Sequence, residues 1–246
     1  MSKIKGVVLA GGLGTRLRPL TSITNKHLLP VYNRPMIYYP VEMLVEAGIT
    51  DIMIVTGGTS AGDFLRLIGN GEEFGLSRIN YAYQKREGGI AEALGLAREF
   101  VDDDRVVVIL GDNILQNGIK RGVEAFSKQQ TGSRIFLKRV DNPREYGIAE
   151  VEGDKIKRII EKPQNPPSDL AVIGIYMYPP DVFEVIETLE PSARGELEIT
   201  DVNNAYIQRG AMEYEIVDGW WLDVGESHEA LLRANLTVAR QEGVEI

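Results

Sequence analysis

"LAGGLGTRLRPLTSITNKHLLPV", residues 9–31, completes the apolar run "IKGVVLA" of residues 4–10 and breaks it with glycines. A short, β-branched run that stops so abruptly reads as a strand buried on both faces, as in a parallel sheet. Gly11, Gly12 and Gly14 allow φ > 0 and let backbone N–H groups approach an anion, so the turn after this strand is a candidate phosphate cradle. Arg16 and Lys26 follow in a stretch that contains Pro19 and lacks helical periodicity, so one irregular loop can fold both cations over one polyphosphate. The spacing is not the GxxxxGK[ST] of a P-loop, and "GLGTRL" lacks the third glycine of GxGxxG. "GGTSAG" at 57–62 lacks the P-loop lysine and reads as a turn.

Working outward, residues 36–47 place Ile37, Val41, Leu44 and Val45 at helical spacing, with Gly48 as a stop. "ITDIMIVTGG" reads as the next strand. A helix near 61–69, a strand in "INYAYQ", a helix over "IAEALGLAREFV" and the strand "RVVVILGDN" continue the alternation. This βαβαβ order predicts an α/β fold, a Rossmann-like, mostly parallel sheet flanked by helices, with ligands bound beyond the carboxyl ends of the strands. The turn at 11–14 lies at one such end and Gly111-Asp112 at another. After about residue 132 the pattern changes to "RIFLKRV", "GIAEVEGDKIKRIIEKP" and "AVIGIYMYP", strand-like segments with a Gly-Asp hairpin signal at 153–154. Helical patterns return at "DVFEVIETL" and at "ITDVNNAYIQRG", where Thr200 is the expected capping residue. The strand "MEYEIV" and a last helix within 227–242 follow. The expectation is one continuous domain over 1–246, with parts at about 1–131, 132–226 and 227–246.

The absence of cysteine excludes disulfides, thiolate catalysis and cysteine-bound zinc, and two isolated histidines, His27 and His228, make no cage. Any metal must therefore sit on oxygen ligands. A net charge of −9 argues against a nucleic-acid partner, which needs a basic face. No run approaches the roughly 20 apolar residues of a membrane span, and the N-terminal apolar segment is too short for a secretory signal. A cytoplasmic protein with no membrane partner is expected.

Several polar residues stand where chemistry is possible. Asp112 and Asp223 each end an apolar, strand-like run, and such a carboxylate pair suits Mg²⁺, which takes one or two carboxylates together with phosphate and water oxygens. Each aspartate can equally cap a turn. Lys162 lies between Glu161 and Pro163 at a strand end, where a lysine can meet a phosphate as a point charge and a glutamate can accept from hydroxyls. A solvated Glu161–Lys162 salt bridge is the alternative. Gln84 ends "INYAYQ" and carries a donor and an acceptor in one plane, which matches the N3–H and O4 edge of thymine or uracil; an exposed turn glutamine is the alternative.

Taken together, "GGLGTRLRPLT", the following Lys26, "LLPV", "PMIYYP", "LGDN" at 110–113, "YGIAE" at 146–150, "EKP" at 161–163, "GELEITDVNNAY" at 195–206 and "WLDVG" at 221–225 resemble the nucleoside-diphosphate-sugar pyrophosphorylases, most closely the glucose-1-phosphate thymidylyltransferases. The resemblance spans nearly the whole chain. It implies transfer of a nucleotidyl group from dTTP, or UTP, to glucose 1-phosphate with release of pyrophosphate, and an inserted sugar-binding, β-rich lobe. Residues 1–131 would then bind nucleotide and 132–226 the sugar phosphate. It assigns Arg16, Lys26 and Lys162 to catalysis; Leu9, Gly11, Gly12, Gly14, Thr15, Arg16, Gln84, Gly89 and Asp112 to the nucleotide; Gly147, Glu161, Lys162, Val172 and Tyr176 to the sugar phosphate; and Asp112 and Asp223 to Mg²⁺. Trp221 would border the sugar, while Trp220 reads as a packing residue.

The resemblance also implies a homo-oligomer, dimer or tetramer. Long members continue with C-terminal helices that serve subunit packing and feedback; the sequence stops soon after "ALLRANLTVARQEG", which leaves feedback open. "GIAEAL" stands where "GLAQA" is usual and places Glu92 at a glutamine position. No hexapeptide repeat follows, so N-acetylglucosamine is not the expected sugar. The competing expectations are a UTP-dependent or other-sugar transferase and a non-catalytic sugar-nucleotide sensor. A sensor would be expected to lose a metal aspartate or a loop cation, and Arg16, Lys26, Asp112, Lys162 and Asp223 are all present.

Overall fold

The structure, a computed structural model, describes residues 3–246. The first strand, β1 (Ile4–Ala10), is followed by the glycine loop, a small hairpin of β2 (Pro30–Val31) and β3 (Arg34–Pro35), and α1 (Tyr38–Glu46). The chain then alternates through β4 (Asp51–Gly57), α2 (Ala61–Ile68), β5 (Arg78–Gln84), α3 (Ile90–Gly95), the single turn α4 (Arg98–Val101) and β6 (Arg105–Leu110). The helix expected over 90–101 is thus two pieces, divided where Gly95 weakens the helix interior. After the short β7 (Asn113–Leu115) and α5 (Lys120–Lys128) come β8 (Ser133–Arg139), β9 (Gly147–Glu152), β10 (Lys155–Glu161) and β11 (Leu170–Tyr178). The remaining elements are α6 (Val182–Glu187), α7 (Ile199–Gln208), β12 (Met212–Ile216), β13 (Trp221–Asp223) and α8 (His228–Gln241). Among the described residues, no helix is long and apolar enough to cross a membrane.

One nine-stranded mixed sheet organises these elements. Its first four strands run β5-β4-β1-β6, all parallel, because each returns through a helical crossover. Next to β6 the direction reverses: β11 pairs antiparallel with β6, then contacts both β8, which carries β12, and β9, which carries β10. Gly153 takes φ 64° in the β9–β10 turn, so the hairpin signal at 153–154 is realised.

The central strands are mostly apolar because both of their faces are covered. Alternate residues project to opposite sides. Val7, Leu9, Val55 and Val108 pack with Leu94, Phe183 and Tyr206 on one face, while Val8, Ile54, Val107 and Ile109 pack with Leu44, Phe64 and Phe126 on the other. A third cluster, including Val31, Met36, Tyr39, Leu222 and Val238, seats α8 against the β7–β13 pair. Ser227 caps α8 by accepting the Ala230 N–H at 3.1 Å.

The chain passes outward from β1 to β4 and β5 and returns to the other side of β1 with β6. The carboxyl ends of β1 and β6 therefore diverge at a topological switch point, the place where open α/β sheets leave a crevice. Asn113 fixes its floor. The Asn113 Oδ1 accepts from Gly174 N at 3.0 Å and Trp221 Nε1 at 2.7 Å, and its Nδ2 donates to Asp112 Oδ1 at 3.1 Å. Asn113→Ala would leave two buried donors unpaired, at about 1–3 kcal/mol each. Urea unfolding is expected to show a loss of about 3 kcal/mol, and a loss below about 1 kcal/mol would contradict this role.

Candidate active site

The β1 strand delivers the glycine loop to the crevice, and two polar side chains then set the loop's path. Asn25 Nδ2 donates to the carbonyls of Ala10 at 3.2 Å and Gly12 at 3.4 Å. With its amide oriented by those carbonyls, Asn25 Oδ1 accepts the His27 N–H at 2.9 Å and lies 2.7 Å from His27 Nδ1, which makes Nδ1 the protonated ring nitrogen. Gly14 takes φ 63°, and a Cβ there would come within 2.9 Å of Lys26 Cβ. Its carbonyl accepts from Thr21 Oγ1 at 2.7 Å. The result folds Lys26 back under Gly12–Gly14.

Lys26 Nζ meets Asp112 Oδ2 at 2.5 Å, with both side chains largely buried. The β7–β13 pair brings in the second carboxylate: Asp223 pairs with Asn113, and Val224 N donates to Asp112 O at 2.9 Å. Gly225 leaves the space between these groups open, since a Cβ there would stand 2.3 Å from Asp112 Oδ2 and 2.7 Å from Lys26 Nζ. Arg16, Thr15 and Glu87 complete the rim of a cavity of about 240 Å³.

Burial works against every charge in this cluster, and the pairing decides which charges persist. For Asp112, Lys26 outweighs burial and holds the carboxyl well below the usual carboxylate range. For Lys26, Asp112 and then Asp223 outweigh burial and raise the ammonium. Asp223 has no such partner: burial first, and the neighbouring Asp112 second, push it up to about 7. His27 is held down to about 3 by burial and by Lys26 beside it, so it stays neutral.

This donor set fits a divalent cation. Two close carboxylates, one of them with a pKa raised by burial and by the other carboxylate despite Lys26 and Arg16 nearby, offer hard oxygen ligands and an electrostatic deficit that a cation would fill. The rest of the cavity points the same way. Arg16 and Lys26 face Glu87, Asp112 and Asp223, so carboxylates outnumber cations in the cavity and an added cation would be needed to offset them against a polyphosphate.

The second cluster lies at the carboxyl end of β10. Glu161 Oε2 accepts from Thr200 Oγ1 at 2.8 Å, and its Oε1 lies 3.6 Å from Arg194. Thr200 is therefore not the helix cap expected from the sequence: α7 starts at Ile199, and the Thr200 hydroxyl inside its first turn is spent on Glu161. Gly147 pairs with Glu161, and a Cβ at Gly147 would stand 3.2 Å from the carboxylate. Lys162 is exposed, takes φ 42° and has no ion-pair partner among the described residues, so the Glu161–Lys162 salt bridge is absent. A lysine held in the left-handed region is strained in a way that recurs at functional sites. Tyr176 bridges the clusters: burial, then Glu161, Asp112 and Asp223, push its hydroxyl pKa far above the ordinary value.

Other sequence-predicted residues fall less directly on the site. The Leu9 side chain is core, and only its carbonyl reaches the crevice, where it accepts Gly111 N at 2.9 Å. Val172 lies half-buried along β11, paired with Leu137. Gly89 takes φ 96°, and the space of its missing Cβ is filled by the Leu197 carbonyl, 2.4 Å from where that Cβ would be. Gln84 is buried at the end of β5, with its Oε1 beside Gly11. Trp221 meets Tyr146 edge to face, and the Tyr146 hydroxyl donates to Glu226 at 3.0 Å.

Sequence reasoning missed Asn25, Glu87, Asn113 and Arg194, and treated His27 as partnerless. Asn25 and Asn113 sat inside quoted stretches, but nothing local marked their roles. Glu87 and Arg194 act through contacts between segments far apart in the chain, such as the Leu13 N–H donated to Glu87 at 3.0 Å.

A parallel sheet with a glycine loop and an aspartate pair at its switch point defines an enzyme that handles nucleotide phosphates. The chain belongs to the nucleotidyl transferase family, whose model matches residues 5–241. It is 44% identical over 243 residues to the low-salt glycan biosynthesis nucleotidyltransferase Agl11 of Haloferax volcanii, covering 98% of this chain and 68% of that protein. It is 42% identical over 243 residues to the glucose-1-phosphate thymidylyltransferase of an Actinoplanes species, covering 98% of this chain and 80% of that protein. A Bacillus anthracis crystal structure, provisionally described as a glucose-1-phosphate thymidylyltransferase and holding a sucrose, superposes with TM-score 0.92 at 50% identity, covering 99% of this chain and 97% of that one. A UDP-glucose pyrophosphorylase solved with UDP-glucose superposes with TM-score 0.84 at 28% identity, covering 98% and 100%.

The neutral, buried His27 also sets an acid limit on stability. The unfolded chain binds a proton on this residue below about pH 6.5, whereas the folded chain waits until about 3. Between those values stability falls as pH falls, by about 1.4 kcal/mol per unit. Urea unfolding at pH 6.5 and 4.5 is expected to show a pH-dependent loss about 2–3 kcal/mol smaller in His27→Gln than in the unsubstituted chain. Equal losses would contradict the buried, neutral assignment.

Proposed function

We propose that this enzyme transfers a thymidylyl group from dTTP to glucose 1-phosphate, with Mg²⁺ as the divalent ion, giving dTDP-glucose and pyrophosphate. The observation that carries the reading is the Asp112–Lys26–Asp223 cluster under the glycine loop, in a chain that matches thymidylyltransferases over nearly its full length. In the proposed reaction an oxygen of the sugar phosphate attacks the α-phosphorus as the bond to the bridging oxygen of the β-phosphate breaks, and both electrons leave with pyrophosphate. No proton transfer is needed, so positioning and charge carry the catalysis.

In this reading the first part, about 1–131, holds the nucleotide. Backbone groups of Gly11, Gly12, Gly14 and Thr15 cradle the triphosphate, Arg16 neutralises the departing pyrophosphate, and Lys26 faces the reacting phosphates. Asp112 and Asp223 would hold Mg²⁺, which supplies Lewis-acid stabilisation of charge on the phosphoryl oxygens. Gln84 meets the pyrimidine. The second part, 132–226, holds the sugar phosphate: Lys162 takes the phosphate, Glu161 accepts from sugar hydroxyls, and Gly147, Val172 and Tyr176 shape the pocket. Arg194 joins this group because it already reaches Glu161. The last part, 227–246, closes the β7–β13 side through α8.

The same proposal places the enzyme in the cytoplasm as a homo-oligomer. Leu232 and Leu236 stand exposed one turn apart on α8 and offer apolar area for self-association. Likeness to a UDP-glucose pyrophosphorylase supports a second reading in which UTP is the donor.

Pyrophosphate release with glucose 1-phosphate and Mg²⁺, compared across dTTP, UTP, ATP, CTP and GTP, tests the proposal. A dTTP preference is expected; a UTP preference would replace the nucleotide and keep the chemistry, and no release with any nucleotide would contradict it. Arg16→Ala and Asp223→Asn are each expected to lower kcat/KM by about 100-fold or more, the scale set by removal of a preorganised charge at a reacting centre. Near-normal turnover in both variants would refute the site.

A further inference from the structure

We propose that Glu92 is a positioning residue for base selection: it locks the Gln84 side-chain amide with the oxygen toward the crevice, so the site accepts a base bearing N3–H and disfavours cytosine. This rests on the reading of Gln84 as the residue that meets the pyrimidine.

Gln84 Nε2 donates to the Gly89 carbonyl at 3.2 Å and to Glu92 Oε1 at 3.4 Å. Both partners can only accept. Reversing the amide would set Gln84 Oε1 against a carbonyl oxygen and a carboxylate, with no hydrogen between them. The observed orientation leaves Oε1 beside Gly11, where a Cβ would stand 2.7 Å from it. No donor among the described residues reaches that oxygen. A second glycine widens the same floor: Gly57 pairs with Gln84 across β4 and β5, and a Cβ at Gly57 would stand 2.6 Å from the Gly11 carbonyl. The free acceptor therefore stands at the edge of a side-chain-free floor at the carboxyl ends of β1 and β4.

Glu92 is itself held in place. Its Oε2 takes Arg86 Nε at 3.1 Å and Nη2 at 2.9 Å, which leaves Oε1 for Gln84. Its carboxylate folds over Gly88, where a Cβ would stand 2.1 Å from Oε2. Arg86, Gly88 and Glu92 thus form a seat whose output is the direction of one amide. A glutamine at position 92 would relax the lock, because its own amide can turn to offer either a donor or an acceptor.

A thymine or uracil N3–H donates to the outward Oε1. Cytosine presents a bare N3 acceptor there and requires the reversed amide. A site built around a hydrogen-bonding group rejects analogues that leave it unpaired far better than an apolar site rejects a change in shape.

The experiment compares kcat/KM for dTTP and dCTP in the unsubstituted enzyme, Glu92→Gln, Arg86→Leu and Gln84→Ala, with thermal midpoints measured in parallel. Glu92→Gln is expected to lower the dTTP/dCTP ratio by about tenfold or more. The change should appear in KM, with kcat for dTTP nearly unchanged. Arg86→Leu, which unseats Glu92 without altering α3, is expected to move the ratio in the same direction and covers the case in which Glu92→Gln does not fold. A carboxylate that served only the start of α3 would move the thermal midpoint and leave the ratio alone. That result, with Gln84→Ala still collapsing the ratio, would overturn the role of Glu92 and keep Gln84 as the base reader. A ratio unchanged in Gln84→Ala as well would overturn both assignments. So would the absence of turnover with any pyrimidine nucleotide, which would also remove the proposed function.

Discussion

The contact between Lys26 and Asp112, 2.5 Å long and largely closed to solvent, joins the glycine loop after β1 to the carboxyl end of β6. A buried ion pair is costly to form and costlier to break, because removal of one partner strands the other's charge. Here the pair is supported on each side. Asn113 donates to Asp112, and Asn25 anchors the loop that carries Lys26 to the carbonyls of Ala10 and Gly12. The loop is thereby tied to the sheet through side chains, although its own backbone forms only short turns. Asp223 then enters this cluster with no cation of its own, and its raised pKa records the imbalance. The cluster is thus closed as a piece of the fold while its carboxylates outnumber its cations, the imbalance on which the proposed cation site rests.

The change of strand direction at β11 gives the molecule its two-sided character. Parallel strands with crossover helices leave loops above their carboxyl ends, and these loops carry the glycines, Gln84 and Asp112. Antiparallel β9, β10 and β11 present their side chains along a surface instead, which places Gly147, Glu161 and Tyr176 beside the same crevice. The two sides are joined directly at one turn: Leu197 N donates to Gly88 O at 2.8 Å, and Ala91 N donates to Leu197 O at 3.2 Å. The segment that carries Arg194 toward Glu161 therefore also rests on the turn that orients Gln84. Movement of either side is expected to be felt by the other.

Much of this was legible in the chain because local patterns carried it. The mostly apolar strands at 4–10, 51–57 and 105–110, each ended by glycine, required a sheet covered on both faces, and that is what formed. Asp112 and Asp223 could each be singled out as strand-end carboxylates, but their meeting depends on β13, three residues with no alternation to read. Resemblance to a family supplied that pairing where periodicity did not. Thr200 was misassigned because a threonine near a helix start looks like a cap, while its real partner, Glu161, lies on another strand. Gly89 stood out in sequence only as a turn glycine, and nothing local showed that the space of its missing side chain is taken by the Leu197 backbone. His27 shows the same limit: nothing local says that a histidine after Asn25-Lys26 will be buried and neutral under Gly111.

In the proposed site, the crevice takes a polyphosphate only when a divalent ion offsets Asp112 and Asp223. Calorimetric titration of dTTP at pH 7.5, once with Mg²⁺ and once with a chelator, tests it most directly. Binding at least about tenfold tighter with Mg²⁺ is expected, the scale of one well-placed charge, with a much smaller difference in Asp223→Asn. Equal affinity with and without the ion in the unsubstituted protein would contradict the claim.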